Sequence, residues 1–212
     1  MMKLYDFLPC PFGQKVRIVL AEKGLAYELV PIDLAQGEQR RPDFLRLNPF
    51  GRVPVLVDEE LTIYDSTVIA EYLEDEYPEP PLLAAIGSSG LRARARSWED
   101  FADTSFTPQV GQLMAELTKP EAERDAGRVQ RLQQSVERML TFLNHELQGQ
   151  EYLTGQFSVA DIAFVPRLVV LRDLGVEAGQ NRPNVETWLQ SLIDRPSIQN
   201  LDGLTSQFVA GV

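Results

Sequence analysis

Residues 48–77 read NPFGRVPVLVDEELTIYDSTVIAEYLEDEY, and the fold turns on how this stretch is divided. It parses as a tight loop, a strand entered at Val53-Pro54, an acidic turn at Glu59-Glu60, a second strand and a helix opened by Asp65-Ser66. A residue before proline is pushed to extended backbone, and Pro54 has no N–H to donate, so the pair belongs at the edge or the entrance of a strand. On an edge, the N–H and C=O of Val53 are open to an extended peptide laid alongside. The run Val68, Ile69, Tyr72 and Leu73 has helical spacing, which places Asp65 and Ser66 at a helix N-terminus. Such a terminus receives carboxylates through its N–H groups and dipole. Two readings stand side by side: a pocket for a short anionic peptide, or an aspartate that caps its own helix and a proline that starts a strand.

Working outward, residues 3–7 form a first strand, and QKVRIVLAEKG carries Val16, Ile18, Val19 and Leu20 on a helical face that ends at Gly24. AYELVPIDL alternates as a second strand, parallel to the first if that helix is the crossover. A short helix at 43–47 precedes the hairpin of strands near 53–58 and 61–64 and the helix at 66–77. The order βαβ, short helix, ββα is that of a thioredoxin-like α/β domain. Pro78, Pro80 and Pro81 stop the last helix and open a linker.

Beyond residue 90 the chain changes to helix after helix. Pro108 is expected to kink the first long one. VQRLQQSVERMLTFLNHELQG repeats its apolar residues at helical spacing from Val129 to Leu147, with Met139 among them. FSVADIAFVPRLVVLRDLG opens on a Ser158/Asp161 capping box with Phe157 and Ile162 placed as a hydrophobic staple, and reads as one buried central helix with Asp161 capping rather than catalysing. NVETWLQSLIDRPSIQNL adds a helix that stops before Pro196. The expected division is an α/β domain at 1–80, a linker at 81–89 and an all-α domain at 90–212.

Composition narrows the function. With 31 acidic against 20 basic residues, a net charge of −11 and a pI near 4.6, the chain lacks the basic surface that nucleic-acid binding requires. No signal-peptide pattern opens it and no run approaches the ~18 apolar residues of a membrane span, so a cytoplasmic protein is expected. The single cysteine, Cys10, excludes an intrachain disulfide. His145 is the only histidine, which leaves a histidine metal site or a Ser-His-acid triad without a second histidine, and no metal is expected.

Cys10 lies between Pro9 and Pro11, after the first strand and before the first helix. A thiol there faces a positive dipole end that favours thiolate, with Lys15 and Arg17 adding to this if they point inward. The alternative is a small half-buried cysteine without chemistry.

The segment holding Val53, Pro54, Asp65 and Ser66 resembles the glutathione-binding core of the glutathione transferase superfamily. The string CPFGQKVRIVL resembles the CPF segment of its cysteine-type members, including omega-class enzymes and dehydroascorbate reductases, and more distantly glutaredoxins. The resemblance covers essentially the whole chain, and the capped helix at Ser158 resembles the core helix of the superfamily's second domain. It implies a cis Val53-Pro54 bond, pairing of the Val53 backbone with the cysteinyl part of glutathione, and binding of the γ-glutamyl end by Asp65 and Ser66. It further implies Cys10 as the catalytic residue, Phe12 as the aromatic beside it and Arg41 for the glycine carboxylate, with Arg41 alternatively a solvated loop charge. Gly13 stands where a dithiol enzyme has its second cysteine, which leaves a monothiol cycle or plain thiolate stabilisation.

The function implied is a glutathione transferase with glutathione as co-substrate, a small apolar electrophile as second substrate, a role in detoxification, and a homodimer. Covalent thiol transfer or dehydroascorbate reduction through Cys10, and a non-catalytic regulatory or assembly module, are the alternatives. The electrophile site is expected between the two halves, where Phe12, Trp98, Phe101 and Phe106 either line a wall or belong to the core.

Overall fold

In the computed structural model, residues 1–84 and 87–203 are described. Ala85 and Ile86 of the expected linker, and 204–212 of the expected helical half, lie outside them. The chain forms two compact units, Met1–Leu82 joined by Leu201–Gly203, and Leu83–Asn200.

The first unit is built on a four-stranded mixed sheet in the order β2-β1-β3-β4. Strand β1 (Met2–Asp6) buries Met2, Leu4 and Asp6 on one face, the period-2 alternation of a half-covered strand. Helix α1 (Pro11–Glu22) carries the chain across to β2 (Tyr27–Pro31), which pairs parallel to β1. Val16, Ile18, Val19 and Leu20 are fully buried, and Gly24 takes the left-handed conformation that ends the helix at no steric cost. After α2 (Pro42–Leu47), strands β3 (Val55–Asp58) and β4 (Leu61–Tyr64) form the expected hairpin, with β3 antiparallel to β1. Helix α3 (Ser66–Glu76) packs beside α1 and stops before Pro78. The buried Lys23 ammonium holds the departing chain: it lies 2.9 Å from Glu74 and donates to the carbonyls of Tyr77 and Pro80.

Because β3 lies between β1 and β4, Val53-Pro54 sits at the entrance of a central strand, and the edge alternative does not hold. The ladder begins at Val55, paired with Tyr5 on one side and Tyr64 on the other.

The second unit is helical. Helix α4 (Ser89–Phe101) runs into a single π-helical turn at Ala102–Phe106 and continues as α5 (Thr107–Leu117). Pro108 has no N–H for the carbonyl four residues back, and the wider turn just before it is how the chain passes the break. Helix α6 (Ala126–Glu146) is capped by Asp125 and buries Leu132, Val136, Leu140 and Leu143, while Val129 and Met139 flank that stripe half-exposed.

The expected central helix is shorter and broken. It consists of α7 (Val159–Ile162), α8 (Val165–Leu168) and a 3-10 turn at Arg172–Leu174. Pro166 cannot donate to the carbonyl of Ile162, and the N–H groups of Phe164 and Arg167 turn to carbonyls three residues back. Burial made the run look continuous, because an apolar sequence does not reveal where its backbone bonds are lost. Helix α9 (Pro183–Ile193) ends as expected before Pro196, which opens a further short helix, α10 (Pro196–Gln199).

The core of this unit gathers around Phe164, whose ring meets Phe101, Phe106 and Trp188 at 5.2–6.1 Å between centroids. Beside it the Asp161 carboxylate, with no exposure, accepts from the N–H groups of Leu153 and Ser158, the Ser158 hydroxyl and the Trp188 indole. Phe157, the residue placed as the staple, packs on Tyr152 with the Arg195 guanidinium over its ring.

Candidate functional site

The register of the sheet sets the geometry of the site. Tyr5, Val55 and Tyr64 lie side by side across β1, β3 and β4. Cys10 follows Tyr5 by a short loop, Val53-Pro54 comes just before Val55, and Asp65-Ser66 comes just after Tyr64. Three segments far apart in the chain therefore emerge at one end of the sheet. Helices α1 and α3 both start there, and Lys15 ties their first turns together by donating to the Thr67 hydroxyl at 3.0 Å.

At the first segment Cys10 is the N-cap of α1, half-buried, with extended backbone. Its N–H donates to the Phe7 carbonyl at 2.7 Å and its carbonyl receives the Gln14 N–H, which makes residues 7–10 a tight turn into the helix. The sulfur takes no part in capping. Phe12, two residues further, is half-buried. Gly13 has a steric reason to be glycine: a Cβ there would stand 1.8 Å from Oδ1 of Asp6.

That Asp6 carboxylate is fully buried at the end of β1. Its Oδ1 accepts the Phe7 N–H at 2.8 Å, and Nε of Arg17 lies 3.0 Å from Oδ2 in a close ion contact that is off hydrogen-bond geometry. Burial pushes the carboxyl up to about 6, against the lowering pull of the Arg17 charge and the Phe7 N–H. Lys15 and Arg17 do point inward. Lys15 is taken by Thr67, and Arg17 by Asp6 and two backbone carbonyls.

At the second segment the Val53-Pro54 bond is cis, as the resemblance implies. Val53 precedes the ladder, and among the described residues its N–H and C=O are used by no neighbouring strand. The loop leading to it is shaped by Asn48, whose buried side chain donates to the Arg52 carbonyl at 2.7 Å and accepts the Phe50 N–H. Sequence reading passed over Asn48. Its signal was an asparagine two residues before Phe50 in a Pro-Gly turn, a pattern that favours side-chain to backbone bonding.

At the third segment Asp65 caps α3, and it does so with one oxygen only. Oδ1 accepts from the N–H groups of both Thr67 and Val68, while no hydrogen bond among the described residues uses Oδ2. Asp65 also has φ 79° and ψ 127°, a region that side chains other than glycine avoid at a cost of about 1–3 kcal/mol. Backbone held there persists only where the surrounding structure over-determines it. Ser66, the first helical residue, is buried.

The remaining candidates stand apart from this convergence. Arg41 sits on the solvent side before α2, 2.9 Å from Glu38, with its side chain 61% exposed. Phe106 is fully buried against Phe164, which takes it into the core. Trp98 packs with Phe101 and Phe142 at the wall of a shallow recess of about 510 Å³ within the second unit. His145 is an exposed residue near the end of α6 beside Glu146. Among the described residues no helix is long and apolar enough to cross a membrane.

Comparison with known proteins identifies the family. The family model "Glutathione S-transferase, N-terminal domain" matches residues 4–81, and "Glutathione S-transferase, C-terminal domain" matches residues 106–196. Glutathione S-transferase 3 of Zea mays is 32% identical over 206 residues, covering 93% of this chain and 91% of the relative. The glutathione transferase URE2P8 of Phanerochaete chrysosporium, solved with oxidized glutathione, superposes with a TM-score of 0.84 at 30% identity, over 93% of this chain and 91% of that one. A stringent starvation protein A homolog of Pasteurella multocida is 30% identical over 196 residues, 92% of this chain and 87% of its own. A thioredoxin-like domain followed by a helical domain, with glutathione transferase models matching both, defines the class: the chain belongs to the glutathione S-transferase family.

Proposed function

We propose that this glutathione transferase binds glutathione across the end of its sheet and presents the thiolate sulfur, beside Cys10, to small apolar electrophiles. The observation that carries the reading is the convergence of Cys10, Val53-Pro54 and Asp65-Ser66 on that one end. The N–H and C=O of Val53 suit the cysteinyl backbone of the tripeptide. Oδ2 of Asp65 suits its ammonium, and Ser66 at the start of α3 suits its γ-glutamyl carboxylate. Phe12 flanks the sulfur and Arg41 reaches the glycine carboxylate by leaving Glu38. In conjugation the thiol proton goes to solvent and sulfur attacks carbon, displacing a halide or adding to an unsaturated bond.

A second reading is favoured by the sulfur of Cys10, which is not occupied in capping α1. In it the Cys10 thiolate attacks a glutathione mixed disulfide, releases the substrate thiol, and is freed by a second glutathione that leaves as the disulfide. The absence of room at Gly13 suits a one-cysteine cycle. A non-catalytic role is opposed by the strained backbone and uncommitted oxygen of Asp65. We place the protein in the cytoplasm with a part in detoxification. We also infer a homodimer, supported by the exposed Phe50 and Val68 in the first unit and Phe142 in the second. The domain limits proposed are 1–80 and 90–212, with 81–89 between them.

Calorimetric titration with glutathione, followed by conjugation and thiol-transfer assays on wild type and Cys10→Ser, tests the reading. Asp65→Ala should weaken glutathione binding about tenfold or more, the worth of one charge-assisted hydrogen bond. Cys10→Ser should abolish thiol transfer and spare conjugation under the first reading. No binding by the wild type would remove both.

A further inference from the structure

We propose that Gln14 and Arg17 are positioning residues for Cys10, and that they hold its loop by bridging it to the distant segment Leu201–Gly203. The inference rests on the reading of Cys10 as the thiol of the site. Nothing in the site's resemblance to relatives assigns these contacts, which come from the hydrogen bonds of this chain.

Residues 7–10 have few means of holding their own shape. They include Pro9, which donates no hydrogen bond, and their single internal backbone bond runs from Cys10 to Phe7. The carbonyl of Leu8, two residues before Cys10, accepts from Nη2 of Arg17 at 2.5 Å and from Nε2 of Gln14 at 3.3 Å. The same two side chains continue across to the end of the chain. Nη1 of Arg17 donates to the Asp202 carbonyl at 2.7 Å, and Nε2 of Gln14 donates to the Gly203 carbonyl at 2.7 Å. Both side chains are buried. Gly203 itself lies against the loop, with a left-handed φ of 75° and space so tight that a Cβ would stand 2.9 Å from the Leu8 oxygen.

Arg17 is thus divided between three obligations: the Asp6 carboxylate, the loop and the tail. A guanidinium presents five donors in a rigid fork, so Arg17 reaches all three from separate nitrogens. Removing the tail would leave buried donors of Gln14 and Arg17 without acceptors, so they would draw on Leu8 or admit water, and the loop would loosen. The consequence falls on Cys10. A sulfur kept at the first turn of α1 feels the helix N-terminus, and this effect fades within a turn. A loosened loop would let the sulfur leave that field for part of the time and react as a more ordinary thiol.

The test uses the full-length protein and its one cysteine, so that alkylation by iodoacetamide reports Cys10 alone. Gly203→Val pushes the tail off Leu8 while every residue of the loop and of α1 keeps its identity, and Gln14→Leu removes one bridge. We expect Gly203→Val to move the pH midpoint of alkylation upward by about half a unit, about threefold in rate below the midpoint. Melting should shift by only a few degrees, and the double variant should match the larger single effect, because both act through one strap. Unchanged alkylation in Gly203→Val, or effects that simply add, would overturn the inference. If the wild type itself shows an ordinary midpoint near ~8.5, the reading of Cys10 fails, and the rate difference between wild type and Gly203→Val still decides the strap.

Discussion

The two units each bury an aspartate completely, and the two are satisfied in opposite ways. Asp161 in the helical unit receives four donors, two on each oxygen, and none of them is charged. Asp6 in the sheet unit receives one backbone N–H and stands against a guanidinium in poor hydrogen-bond geometry. Burial pushes both carboxyls up to about 6. One carboxylate is a closed structural joint that ties α7 to α9 and to the segment before it. The other is an open one, placed beneath the Cys10 loop and answerable to three neighbours. Full satisfaction makes for rigidity, and partial satisfaction leaves an arrangement that other groups can bias.

The sharpest break in this comparison is Asp161→Ala. It strips acceptors from the Trp188 indole and two backbone N–H groups in a dry core, and we expect a loss of about 3–5 kcal/mol, read from urea unfolding followed by Trp fluorescence. If the loss is under 1 kcal/mol, the joint is not what holds that core.

Gly13→Ala comes next. The added methyl meets the Asp6 carboxylate and must displace it or α1, at about 1–3 kcal/mol, with Cys10 alkylation slowed in the same variant. An unperturbed Gly13→Ala protein would mean that Asp6 moves freely and does not support the loop.

The smallest effect is in pH. A carboxyl whose value is raised in the folded state binds its proton more tightly there than in the unfolded chain. Its contribution to stability is complete below the unfolded value near 3.8 and is lost as pH rises through about 6. Asp6→Asn lacks this dependence, so the stability of wild type relative to Asp6→Asn should fall by the order of 1 kcal/mol between pH 4 and pH 7. A gap that widens over the same interval would show that the Arg17 charge outweighs burial.

The same contrast explains what could be read in advance. Helix α1 was legible because Val16, Ile18, Val19 and Leu20 make an apolar run and Gly24 follows. The capping role of Asp161 was legible because Ser158 stands three residues before it. The break at Pro166 was not, since burial hid a backbone defect behind a continuous apolar run. Val53-Pro54 was legible as a strand start, but its central place was not, because strand order is a matter of pairing between segments.

Local chemistry written along the chain determined the succession of strands and helices, the strand entrance at Val53-Pro54, the capped start of α3 and the single thiol before α1. These depend on neighbours within a few residues, where propensity, spacing and missing N–H groups act directly. Only the tertiary structure decided that Cys10, Val53 and Asp65 share one end of a sheet, that Gly13 is empty for the sake of Asp6, and that Arg17 reaches residue 202. The last of these is made to backbone carbonyls, which every residue carries alike, and so no side chain at the far end announces the contact.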